Sequence, residues 1–248
     1  MDQDSFRRHA IFGAAVVALV GAAALTASET PSGSRFSPDI RVDVDMDEDD
    51  DNDRRRGSFV TETRDLPPFE RLQVRGAIEL ELTMGGEQTV RVRARERDLA
   101  VIDTEVEDGT LIIGNLEEKG GNDWDVNGAE MTISVPRLTG LEILGAMDGD
   151  LRGLDVDAFE LVLKGAGNVE LSGSCGALEV DIRGAGNVEA DDFRCKSVEV
   201  HVRGAGNADV YASESVEANL SGIGAITVHG NPRNVDKSVG GLGEITVR

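Results

Sequence analysis

The chain has 248 residues, 25 basic and 47 acidic, for a formal net charge of −22. An acidic excess of this size excludes nucleic acid as a partner, because that contact needs Lys and Arg to neutralise phosphates. With 30 glycines and 4% aromatic residues, the composition suits a chain of many tight turns and excludes stacked aromatic platforms for sugars.

Residues 1–27 have the layout of an export signal. Arg7, Arg8 and His9 precede an apolar run from Ala10 to Leu25, and Ala22-Ala23-Ala24 supplies a cleavage pattern. The run is shorter than the roughly 20 residues that span a bilayer. A cleaved signal peptide is expected, with an uncleaved N-terminal anchor as the alternative and the one route to a membrane. The segment holds no cysteine, so it offers no lipid attachment.

Residues 28–64 read as a disordered acidic linker. Pro31, Gly33 and Pro38 break structure, and acids run from Asp43 to Asp53 before Arg54-Arg55-Arg56. Such blocks repel themselves and stay solvated. Asp43, Asp45, Asp47, Asp49 and Asp51 offer oxygen ligands of the kind hard cations prefer, but the spacing Gly and terminal Glu of an EF-hand are missing. No metal or cofactor is assigned.

Residues 65–140 alternate apolar and polar side chains at Leu72/Val74, Ile78/Leu80/Leu82, Val90/Val92 and Leu111/Ile113. That period marks half-buried strands. Asp108-Gly109 predicts a tight hairpin. The region fits either early coils of a solenoid or an antiparallel cap for one. Leu116 to Gly128, with the sole tryptophan, Trp124, reads as an excursion loop.

Residues 141–248 carry an internal repeat. Gly-Ala-Gly-Asn occurs at Gly165–Asn168, Gly184–Asn187 and Gly204–Asn207, with looser copies starting at Gly145, Gly222 and Gly241. The first glycines stand 20, 19, 20, 18 and 19 residues apart, the period of a solenoid. Strand-like alternation flanks each corner, as in Leu178/Val180/Ile182 before Gly184 and Val188/Ala190 after it. One such unit cannot bury its apolar face alone, whereas stacked units share a core. The predicted fold is all-β: a right-handed single-stranded parallel β-helix of 18–20-residue coils, preceded by a less regular N-terminal β region. At each corner Gly165 and Gly167, Gly184 and Gly186, Gly204 and Gly206, or Gly222 and Gly224 would supply positive φ or close backbone approach. Asn168, Asn187 and Asn207 would stack as an amide ladder.

The repeat also aligns side chains. Cys175 and Cys195 fall ten and eleven residues past their corner glycines, which places them on neighbouring coils within disulfide reach. Glu179, Glu199, Glu217 and Asp236 form one outward row, Asp181, His201 and Asn219 a second, and Lys164, Arg183 and Arg203 a third. The acidic row is a candidate ligand surface set against the plainer reading of a solvated face. No nucleophile elbow or paired histidines accompany these rows, so no catalytic residue is assigned.

Leu66-Pro67-Pro68-Phe69-Glu70, Leu72-Gln73-Val74-Arg75-Gly76, Asp108–Ile113, Val135-Pro136-Arg137-Leu138 and the serial Gly-Ala-Gly-Asn corners together resemble the bacterial head GIN domain family of autotransporter-adhesin-like proteins. The resemblance runs from about Phe69 to the end. It implies a secreted right-handed β-helix without known catalytic residues. The expected function is a non-enzymatic envelope or surface protein, adhesin-like, whose ligand is a surface, a glycan or an envelope protein. A periplasmic scaffold or binding module is the alternative, and a polysaccharide-processing enzyme comes third. No aromatic-girdled barrel segment follows the last repeat, which leaves surface display unsupported by the sequence itself. The expected location is outside the cytoplasm: periplasm, cell surface or extracellular space.

Overall fold

The computed structural model describes the backbone of residues 41–43 and the residues 58–115 and 129–248. The expected export signal at 1–27, most of the acidic run and the expected loop carrying Trp124 lie outside the described residues.

In chain order the strands begin with β1 (Arg41–Asp43), β2 (Phe59–Arg64), β3 (Arg71–Val74), β4 (Ala77–Met84) and β5 (Thr89–Arg95). A helical turn, α1 (Glu96–Leu99), precedes β6 (Ile102–Glu107), β7 (Thr110–Asn115), β8 (Glu130–Val135) and β9 (Gly140–Ile143). The repeats supply β10 (Ala146–Leu163), β11 (Ala166–Ile182), β12 (Ala185–Val202) and β13 (Ala205–Leu220). The last are β14 (Ile223–His229), β15 (Asn234–Val239) and β16 (Leu242–Val247). The ordered β-structure thus starts earlier than the sequence pattern implied. Phe59–Arg64 is not linker but strand, because Val60 and Glu62 face inward.

The predicted parallel β-helix is present. β10 pairs with β11, β11 with β12 and β12 with β13, all parallel and nearly residue for residue. Each of these long strands serves two faces of its coil. The half after the glycine corner joins a ladder running β4, β10, β11, β12, β13, β14, β16. The half before the next corner joins β7, β3, β9, β10, β11, β12, β13, β15. Alternation at period two then sends one set of side chains into the shared core, including Leu161, Val180 and Val200, each 0% exposed.

The open question about the N-terminal region resolves as both alternatives. β3 and β4 form a parallel coil beneath β9 and the first half of β10. β7 and β8 form another parallel coil beneath β3 and β4, although they come later in the chain. Antiparallel strands then close the stack: β5 on β8, β2 on β5, and β6 on β7. Asp108 and Gly109, both at positive φ, make the predicted hairpin turn between β6 and β7. Switching direction ends a parallel stack because the next coil finds no matching edge.

Candidate functional site

The glycine corners set the spacing of everything displayed on the two faces. Among the described residues, two residues link the faces at each corner from Arg75-Gly76 to Gly240-Gly241, so each coil restarts in register. A Cβ on Gly184 would sit 1.8 Å from the carbonyl oxygen of Gly165, and one on Gly204 would sit 1.9 Å from that of Gly184. The first glycine column therefore works by close backbone approach. In the second column Gly186 combines a φ of 155° with a Cβ position 1.8 Å from the Gly167 oxygen. Only hydrogen fits at either position.

Beside the corners the asparagine ladder forms as predicted. Asn187 Nδ2 donates to Asn168 Oδ1 at 2.9 Å, and Asn207 Nδ2 donates to Asn187 Oδ1 at 2.9 Å. Asp148 starts the ladder by accepting from Asn168 Nδ2, and the Ala225 backbone N–H ends it on Asn207 Oδ1. Every amide oxygen in the stack thus has a donor.

The acidic row Glu179, Glu199, Glu217 and Asp236 is in register, and Glu160 extends it by one coil. Arg71 closes its start: its guanidinium passes over Gly140 and meets Glu160 at 2.7 Å. Farther along the row the partners are neutral or titratable: His201 Nε2 lies 2.8 Å from Glu199, and Asn219 Nδ2 donates to Glu217 at 3.1 Å. Burial, then the charges of Glu199 and Glu160, push the pKa of Glu179 up.

The neighbouring rows are knitted together. Arg183 and Arg203 both bond Asp181, at 2.6 and 2.9 Å, and cover it so that it is only 6% exposed. The bond that Arg183 donates to Asp181 raises the pKa of Arg183. Lys164 reaches Glu142 at 2.6 Å. Burial alone would raise the pKa of Glu142, but hydrogen bonds from Lys164 and Gln73 with the charges of Lys164 and Arg71 bring it down. The basic row is thereby neutralised, whereas the acidic row is not.

The opposite face carries a second acidic row that the sequence reading overlooked: Glu81, Asp150, Glu170, Glu189 and Asp209. With Glu79, Asp148 and Asn168 its first four members line an open groove of about 350 Å³. Arg152 ion-pairs with Asp150 at its edge, and that bond raises the pKa of Arg152. The signal was in the repeat, since each of these acids stands five residues after its corner glycine, as Glu179 stands five before the next. Among the described residues no group of His, Cys, Asp or Glu has the arrangement of a metal site.

In the second, looser turn of the coil, Cys175 and Cys195 are joined in a disulfide, with Cα atoms 4.5 Å apart in register. Phe159 and Phe193 meet edge to face nearby at 5.9 Å.

These corners and ladders occupy the stretch matched by a family model described as "Putative auto-transporter adhesin, head GIN domain", which covers residues 68–232. The chain belongs to the head GIN domain family. Among solved structures it is similar to a "putative adhesin" from Bacteroides fragilis, with 23% identity, 77% of this chain and 97% of that chain covered, and a TM-score of 0.64. A "putative lipid binding protein" from Parabacteroides distasonis shares 21% identity over 77% of this chain and 97% of its own, with a TM-score of 0.45. A "putative adhesin" from Parabacteroides merdae shares 14% over the same fractions, with a TM-score of 0.41. The first of these is a likeness of fold; the other two scores are too low to bear on it. No curated protein matches the chain.

Proposed function

We propose that this head GIN chain is an exported, non-enzymatic, adhesin-like module that binds a surface, glycan or envelope-protein ligand through its repeated faces. The observation that carries the reading is the two in-register acidic rows, one on each face of the coil stack, spaced by the strand repeat of about 4.8 Å. A repetitive surface suits a repetitive ligand, because each added coil adds a contact without a new design. Family membership and the adhesin description of the Bacteroides fragilis neighbour support the same class.

Carboxylates that line a groove are also what a polysaccharide-processing enzyme would use. A catalytic pair needs one carboxyl held away from water so that it can carry a proton. Glu79, Glu81, Asp148, Glu170 and Glu189 are exposed on a sheet face, and Asp150 is only half-buried, which favours binding over catalysis.

The test is protease accessibility in the native cell, read with an antibody to residues 141–248. Digestion on intact cells is the expected result. Protection until the envelope is opened would overturn surface display and leave the periplasmic scaffold as the reading.

A further inference from the structure

The core contains a column whose last described member breaks its own rule. Leu111, Leu72, Leu141, Leu161, Val180, Val200 and Ala218 are stacked in register through seven coils, and each is at most 1% exposed. The next position in that column, on β15, is Lys237. Its neighbours on the same side of the strand keep the pattern, with Val235 continuing the Val216 column and Val239 the Leu220 column. An ammonium has thus replaced an aliphatic side chain in the middle of an otherwise apolar coil face. Ala218, the smallest member of the column, lies directly before it, and Lys237 itself is exposed.

The surroundings explain the need. Ile223, Val235, Val239 and Leu242, all on β14 to β16, are exposed large apolar residues. Among the described residues, β15 and β16 each pair on one side only, with β13 and β14. An apolar coil with a free parallel edge is a template for another strand. At the opposite end antiparallel strands do the blocking.

We propose that Lys237 is an edge guard that keeps the β15–β16 coil from stacking on a second copy of this chain. A second copy docking there through its own β15–β16 coil would cover the ammonium with apolar side chains such as Val235 and Val239 and leave it without water. The column position supplies the specificity: Lys237 acts because it continues the core-side column of Ala218, whereas a lysine at Ser238 would continue the outward row of Asn219 and block nothing.

The experiment is sedimentation velocity of the purified full chain over a range of protein concentrations, with hydrogen exchange of residues 234–239 and 242–247. Wild type and Lys237→Arg are expected to sediment as one species at every concentration. Lys237→Val is expected to raise the self-association constant by about a hundredfold or more, with new amide protection in both strands. Lys237→Ala removes the charge without adding bulk, shifts the constant in the same direction, and serves if the valine variant does not fold. Sedimentation of both neutral variants like wild type would overturn the proposal. So would wild-type protein that already self-associates with β15 and β16 amides protected.

Discussion

The two turns of each coil face opposite demands. At the glycine corner every coil spends two residues between faces, and successive backbones touch through hydrogens alone. At the second turn the count changes from coil to coil: β12 has one residue more than β11 between Glu189 and Phe193, and β13 drops two relative to β12 overall. The drift of the repeat between 18 and 20 residues is therefore confined to one side of the solenoid. A tight corner sets register for every ladder, and a loose turn absorbs variation, so the displayed rows stay aligned while the chain length does not.

The comparison is broken most severely at the tight corner. Gly186→Val places a side chain where the Gly167 carbonyl oxygen lies 1.8 Å from the Cβ position, in a backbone conformation valine disfavours. It should cost about 4 kcal/mol or more, read as a collapse of the melting transition. One glycine inserted between the exposed Asp191 and Asp192, in the loose turn, should cost less than about 1 kcal/mol in the same assay. Equal losses would erase the distinction between the turns.

The disulfide sharpens the contrast, because it staples the loose side where no glycine column holds the coils. Replacing Cys175 and Cys195 with alanine should lower stability by about 3 kcal/mol, measured by denaturant unfolding with and without reductant. A smaller loss is expected from Asn187→Ala, which removes both a donor to Asn168 and an acceptor for Asn207. About 1 kcal/mol is expected there, since the ladder is partly in water.

The smallest effect lies in the acidic row and has a defined pH sign. The folded-state pKa of Glu179 is raised by burial and by Glu199 and Glu160, so the fold holds its proton more tightly than the unfolded chain does. Its stabilising share is full below the ordinary carboxylate pKa and is lost as pH rises through the raised value. Glu179→Gln should therefore stabilise the protein at neutral pH by about 0.5 kcal/mol and give no gain in acid. Glu142 works in the opposite sense, with stability present at neutral pH and lost as pH falls through its lowered pKa.

Much of this was legible because a solenoid converts sequence spacing into position. Counting back five residues from each corner finds Glu160, Glu179, Glu199, Glu217 and Asp236, and counting forward five finds Glu81, Asp150, Glu170, Glu189 and Asp209. The second row lies on the C-terminal side of each corner glycine, the mirror of the first. The Cys175–Cys195 pair and the asparagine ladder followed from the same arithmetic. Spacing could not reveal that β7 and β8 slide beneath β3 and β4, because that order departs from the order of the chain. Nor could it show Arg71 reaching across Gly140 to Glu160, since these residues come from segments far apart in the chain.

By itself the sequence determined the repeat, the parallel coils and the rows that ride on them, because period-two alternation and a glycine at each corner from Gly76 to Gly241 leave one way to stack. Only the tertiary structure decided how the stack begins, which charges are neutralised, and which column ends in Lys237. Those outcomes depend on contacts between segments far apart in the chain, where local spacing carries no information and packing and solvation settle the result.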